Sequence, residues 1–174
     1  MITLKKARLL ALSIAVLAMP MFIFPMAAQP AVYGFNLNPV AAQPAAVVAT
    51  INGGGTANMD DGEGRTSFGM AVKLMSDGSA TGHFDCVDQM GDLFPGNFIG
   101  IVTSGSRNAD GTVSFSGTGK IINFPGGPFA SDLPFTVTIQ QFGGPGVGHW
   151  TLDVPDFGGI ICFETMLTGQ IVIH

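Results

Sequence analysis

The sequence predicts an all-β domain, an antiparallel sandwich or barrel of about eight or nine strands. Three observations carry this prediction. After residue 46 the apolar side chains recur at every second position, with no helical period over ten or more residues. Tight turns ending in Gly separate the alternating runs. Composition agrees: all 25 Gly lie after residue 33, Phe dominates the aromatics at 14, and charged residues are only 11%. That is about half the usual charged share, too little charge and too much apolar side chain for a disordered polymer.

The runs can be taken in chain order. A first strand is expected near 47–52. In 65–75, Phe68, Met70, Val72 and Leu74 point one way, and Ser67, Gly69, Ala71 and Lys73 the other. Ser76-Asp77-Gly78-Ser79 then reverses the chain, because Gly takes positive φ without a Cβ clash, and 65–75 should pair with 80–88. Asn108-Ala109-Asp110-Gly111 predicts a second hairpin, 97–106 with 112–123, whose inward residues include Val113 and Phe115. Phe135, Val137 and Ile139 alternate with Thr136, Thr138 and Gln140 in 135–142. Further strands are expected near 148–154, 159–163 and 169–173, with Trp150 in the core beside Leu152 and Val154. Pro125-Gly126-Gly127-Pro128 and Gly143-Gly144-Pro145-Gly146 read as longer loops. Periodicity fits a sandwich and a barrel equally.

Ahead of this domain, residues 1–28 have the three-part grammar of a signal peptide. Lys5, Lys6 and Arg8 form a positive start, 9–24 is apolar, and Met26-Ala27-Ala28 offers small residues for cleavage. The alternative is an uncleaved membrane anchor, since 9–28 is 20 uncharged residues, although Pro20 and Pro25 interrupt it. Residues 29–46 form an Ala/Gln/Pro-rich disordered spacer, in which Ala-Ala-Gln-Pro-Ala of 27–31 recurs at 41–45. The expected division is therefore leader 1–28, spacer 29–46 and β domain 47–174. The expected location is secreted or periplasmic, with no membrane span once the leader is removed. Without the leader, Arg65, Lys73, Arg107 and Lys120 face all 12 acids. Such a surface repels phosphate backbones, so no nucleic-acid partner is expected.

Gly53-Gly54-Gly55, Ser67-Phe68-Gly69, Gly82-His83-Phe84, Asp110-Gly111-Thr112 and Gly169-Gln170-Ile171-Val172-Ile173-His174 follow one another in an order that resembles a family of small secreted bacterial β domains. The resemblance spans about 47–174. It implies a secreted β domain and brings no catalytic residue or ligand with it.

Cys86 and Cys162 are the two cysteines, both in expected strands. In an oxidising compartment they are expected to form one disulfide, which closes a loop worth about 4 kcal/mol in chain entropy. Two separately buried thiols are the alternative. There is no C-x-x-C motif.

Candidate sites are few. His83 and Asp85 lie two apart on one strand and share a face, and Asp88 and Asp92 follow. His149, Thr151 and Asp153 share a face in the same way. Met59-Asp60-Asp61-Gly62-Glu63-Gly64 offers oxygens to calcium but lacks EF-hand spacing, and a solvated turn explains it as well. No cofactor or metal is otherwise expected. None of the nine Ser has a G-x-S-x-G context, and Gly117-Thr118-Gly119-Lys120 lacks phosphate-loop spacing.

Two functions follow. The first is a non-catalytic secreted module for adhesion, surface structure or binding of an extracellular ligand or surface component. The second is a small secreted hydrolase using His83 with the acids of 85–92. They differ in the pleat: a hydrolase requires His83 and Asp85 on a solvent-facing concave surface, lining a pocket with Phe84 and Cys86 outside, whereas a non-catalytic module can bury His83 and Asp85 or leave them scattered, and a flat apolar patch favours partner binding.

Overall fold

A computed structural model describes residues 43–62, 64–89, 96–123 and 129–174. The leader, the spacer up to residue 42, the 125–128 loop and Asp92 lie outside these residues. Nine strands follow in order: β1 (Val47–Met59), β2 (Arg65–Met75), β3 (Ser79–Asp88), β4 (Gly96–Arg107), β5 (Val113–Asn123), β6 (Phe129–Gln141), β7 (His149–Val154), β8 (Gly159–Met166) and β9 (Gln170–Ile173). A 3-10 turn at Pro155–Phe157 links β7 to β8. Among the described residues, no helix is long and apolar enough to cross a membrane.

Each strand from β1 to β7 pairs antiparallel with the next. The sheet then closes on itself, because β8 returns to β1 with Ala57 opposite Met166. The short β9 continues along the same edge of β1, with Ile51 opposite Ile173. The fold is an eight-stranded antiparallel barrel with one extra strand.

The two expected hairpins are β2–β3 and β4–β5, and they share one turn chemistry. Asp77 Oδ1 accepts from the Ser79 amide and hydroxyl, and Asp110 Oδ1 accepts from the Thr112 amide and hydroxyl. Gly78 and Gly111 supply φ of 84° and 89°.

β1 runs on to Met59, well past the end expected near 52. The glycines of 53–55 look like a strand terminator, yet their backbone pairs on both edges. They are there for close approach, where β8 gives way to β9: Leu167 N and Thr168 N both donate to Thr56 O. Gly169 has φ of 80°, and a Cβ there would lie 1.9 Å from Gly54 O. The Gly169→Ala variant should therefore lose about 2 kcal/mol or more, from the left-handed backbone and the backbone collision together. Gly78→Ala, with similar φ but nothing within 4 Å of the added Cβ, should lose only about 1 kcal/mol. Paired thermal melts check this difference.

The lumen is filled by side chains. Phe68, Met70, Val72, Leu74, Val113, Phe115, Phe135, Val137 and Ile139, all expected inward, are buried, and so is Trp150. Phe84 touches Trp150 edge-on at 5.3 Å between ring centroids, with Phe98 and Phe115 at 6.3 and 6.2 Å. Phe68 meets Trp150 at 5.4 Å, and Phe98 meets Phe135 at 5.1 Å. Tilted and edge-on contacts of this kind match the ring quadrupoles and add to simple burial. The wet face is knitted by hydroxyls: Ser114 with Thr138 at 3.1 Å and Ser116 with Thr136 at 2.9 Å.

Candidate functional site

The polar residues of interest cluster where β1 ends, β2 begins and β3 ends, beside the middle and later part of β8. Register brings them together. Thr66 on β2 stands opposite Ala57 and Asp88, and Glu164 on β8 stands opposite Met59 and Trp150. Cys86 on β3 pairs with Phe68 and Phe98, and Cys162 on β8 with Leu152. Along β8 the residues Cys162, Glu164 and Met166 all occupy the buried phase, so the pleat carries a carboxylate into the core with the thiol.

Within this cluster Cys86 Sγ and Cys162 Sγ lie 3.9 Å apart, as two free, buried thiols. The sequence pairing is thus brought into contact without a bond between the sulfurs. The Thr66 hydroxyl donates to Glu164 Oε2, and the Cys162 thiol also bonds to this carboxyl. Glu164 is fully buried, and its Oε1 has no hydrogen-bond partner among the described residues. Trp150 Nε1, on the residue directly across the strand pair, has none either. One sulfur of each cysteine and one Glu164 oxygen all lie within 4.8 Å of one another.

Electrostatics follow from this packing. Burial pushes the Glu164 carboxyl up to about 7; the Asp88 and Asp60 charges add to that, and the bonds from Thr66 and Cys162 oppose it. The Cys86 thiol is raised well above its ordinary value by its contact with Cys162, then by burial, and then by the charges of Glu164 and Asp88.

A second, separate arrangement sits on the outer surface. His149 Nε2 lies 2.9 Å from Asp60 Oδ2, and Thr165 Oγ1 donates to Asp60 Oδ1 at 2.8 Å. Partial burial acts to raise the Asp60 carboxyl, but the bonds from Thr165 and His149 outweigh it and hold the carboxyl below its usual range. The His149 ring meets Phe163 edge-on at 4.5 Å. Both Asp60 oxygens in the acidic turn are therefore engaged by side chains.

The other expected candidates fall on different faces. His83 and Asp85 lie on the convex outside of β3, opposite Ala71 and Gly69, while Phe84 and Cys86 point into the core. Asp88 is half-buried in the inward phase of β3, and its charge is felt by both Cys86 and Glu164. The structure therefore joins Asp88 to the cysteines and separates it from His83 and Asp85. Glu164 and Thr66 had not been singled out from sequence. The signal for Glu164 was parity, a carboxylate two residues from a strand cysteine.

The chain matches no family model, no curated protein and no solved structure.

Proposed function

We propose that the chain is an exported, non-catalytic β-barrel module that binds an extracellular ligand or surface component through its outer surface. The observation that carries this reading is the packed lumen. Phe68, Phe84, Phe98, Phe115, Phe135 and Trp150 occupy the space in which a barrel of this size holds a small ligand. His83 and Asp85 project from the convex side with Phe84 and Cys86 inside, so they do not take the concave position that the hydrolase reading requires. The outer surface meanwhile keeps large apolar side chains exposed, among them Ile101, Phe142, Val147, Ile160 and Phe163. An open depression joins Phe142 and Val147 to Gln140, Gln141 and Asp110, and so combines an apolar platform with amide and carboxylate groups.

In this reading the leader is cleaved after Ala28, and Cys86 and Cys162 become a disulfide in the oxidising compartment. Their contact, with the sulfurs 3.9 Å apart, supports the pairing. Fractionated cells test the export. The expected product lies outside the cytoplasm, begins at Gln29, and has no titratable thiol when denatured without reductant. An unprocessed chain in the cytosol would contradict the proposal. Binding is tested by thermal shift of the exported protein against glycans and cell-wall fragments. A partner that raises the melting temperature of the parent but not of Phe142→Ala supports the outer-surface reading, and hydrolysis of such a partner sinks it.

A further inference from the structure

We infer that, in the dithiol form, Cys86, Cys162 and Glu164 are a binding site for a thiophilic divalent cation of the zinc(II) type. This goes beyond the proposed module function and does not depend on it.

The donor set selects the metal. Two sulfurs and one carboxylate oxygen suit a borderline-soft ion, whereas calcium and magnesium require shells built almost wholly of oxygen. Geometry agrees. Two thiolates on a tetrahedral zinc, each about 2.3 Å from the ion, are about 3.8 Å apart; here the sulfurs are 3.9 Å apart. A carboxylate oxygen lies within 4.8 Å of both sulfurs, close enough to serve as the third donor.

The surroundings add an independent observation. Thr66 fixes Oε2 of the fully buried Glu164, and Oε1 is left without a partner. An outer hydroxyl that orients a carboxylate while its second oxygen stays free is the usual support of a metal ligand. Three anionic donors in a dry core repel one another, and a dication reverses that repulsion. Asp88, in the inward phase of β3, adds a further negative charge nearby. With three protein donors, a tetrahedral ion retains one open position.

No redox change occurs on binding. The two sulfur–metal bonds form as the two S–H protons leave to solvent, and any proton on Glu164 leaves with them. Oxidation of the thiols to a disulfide removes both sulfur donors, so the oxidised chain does not bind. Metal retention and disulfide formation are therefore alternative states of one pair.

Cobalt(II) titration of the whole chain, reduced and kept free of oxygen, tests the site. The expected result is a one-to-one thiolate-to-cobalt charge-transfer band, abolished by zinc(II). Thr66→Val weakens binding about tenfold, Glu164→Gln weakens it further, and Cys162→Ser removes the band. Absence of the band in the unaltered dithiol chain overturns the inference, as does an unchanged band in Cys162→Ser. Because a variant could fail to fold, zinc(II) is also tested on the unaltered chain as protection of both thiols from alkylation. No slowing of alkylation overturns the inference too. A cellular chain found entirely as disulfide, but which binds cobalt once reduced, leaves the inference standing and bears only on the disulfide reading.

Discussion

Replacing Phe84 with alanine should remove about 3–5 kcal/mol of stability, the largest effect expected of a single truncation here. The side chain is fully buried and its ring contacts Trp150, Phe98 and Phe115. Its loss forfeits both the transfer free energy of a phenyl group and the contacts of the three rings around the void. Those neighbours come from β4, β5 and β7, across the barrel's interior, so closed backbone pairing hinders their collapse into the gap. A domain of this size is stable by about 5–15 kcal/mol, and the variant should keep only part of that. Urea unfolding reads the change as a fall in midpoint with little change in slope. Phe142→Ala, on a side chain 40% exposed, should stay within about 0.5 kcal/mol of the parent.

The second large effect is a pH dependence set by Glu164. Burial raises its carboxyl from 4.5 to about 7, so between those values the unfolded chain has lost a proton that the folded chain retains. Linkage then makes stability fall as pH rises. The contribution is fully present below about 4.5, declines through the interval and is gone above about 7. A shift of this size corresponds to about 3 kcal/mol. In Glu164→Gln this decline should disappear, because the amide cannot ionise while it keeps a similar shape. The variant should equal or exceed the parent in stability at pH 8, where the parent has a buried carboxylate. Unfolding of the metal-free dithiol forms between pH 5 and pH 8 measures the difference. A parent as stable at pH 8 as at pH 5 would show that Glu164 does not carry the burial assigned to it.

Much of this architecture was legible because alternation records one dry and one wet face. Phe68 through Leu74, Val113 with Phe115, and Phe135 through Ile139 all declare their inward side by parity alone. The turns at Gly78 and Gly111 were legible for a local reason, since an Asp side chain and a positive φ act within four residues. Closure was not local. Whether β1 finds β8 depends on Ala57 meeting Met166, a contact between residues far apart in the chain, and no pattern within β1 encodes it. The glycines of 53–55 obscured it further, because a residue chosen for close backbone approach has the same letter as one chosen for a turn.

The polar cluster was half legible. Cysteines stand out in a chain that has only two, and their pairing was expected from compartment and count. Glu164 was hidden because its partner Thr66 is 98 residues away, and a lone Glu in a short apolar run reads as a surface residue. His83 and Asp85 drew attention by proximity in sequence. The pleat then sends them outward while Phe84 and Cys86 turn into the core.

Closure of the barrel through β1 is the claim on which the packed lumen, the thiol contact and the burial of Glu164 all rest. The most direct measurement is a set of cross-strand nuclear Overhauser contacts from Ala57. A closed barrel predicts contacts from this one residue to Thr66 on β2 and to Met166 on β8, with slowly exchanging amides on both edges of β1. Contacts to Thr66 alone, with rapid exchange on the other edge, would mean that β1 is the rim of an open sandwich and would contradict the account.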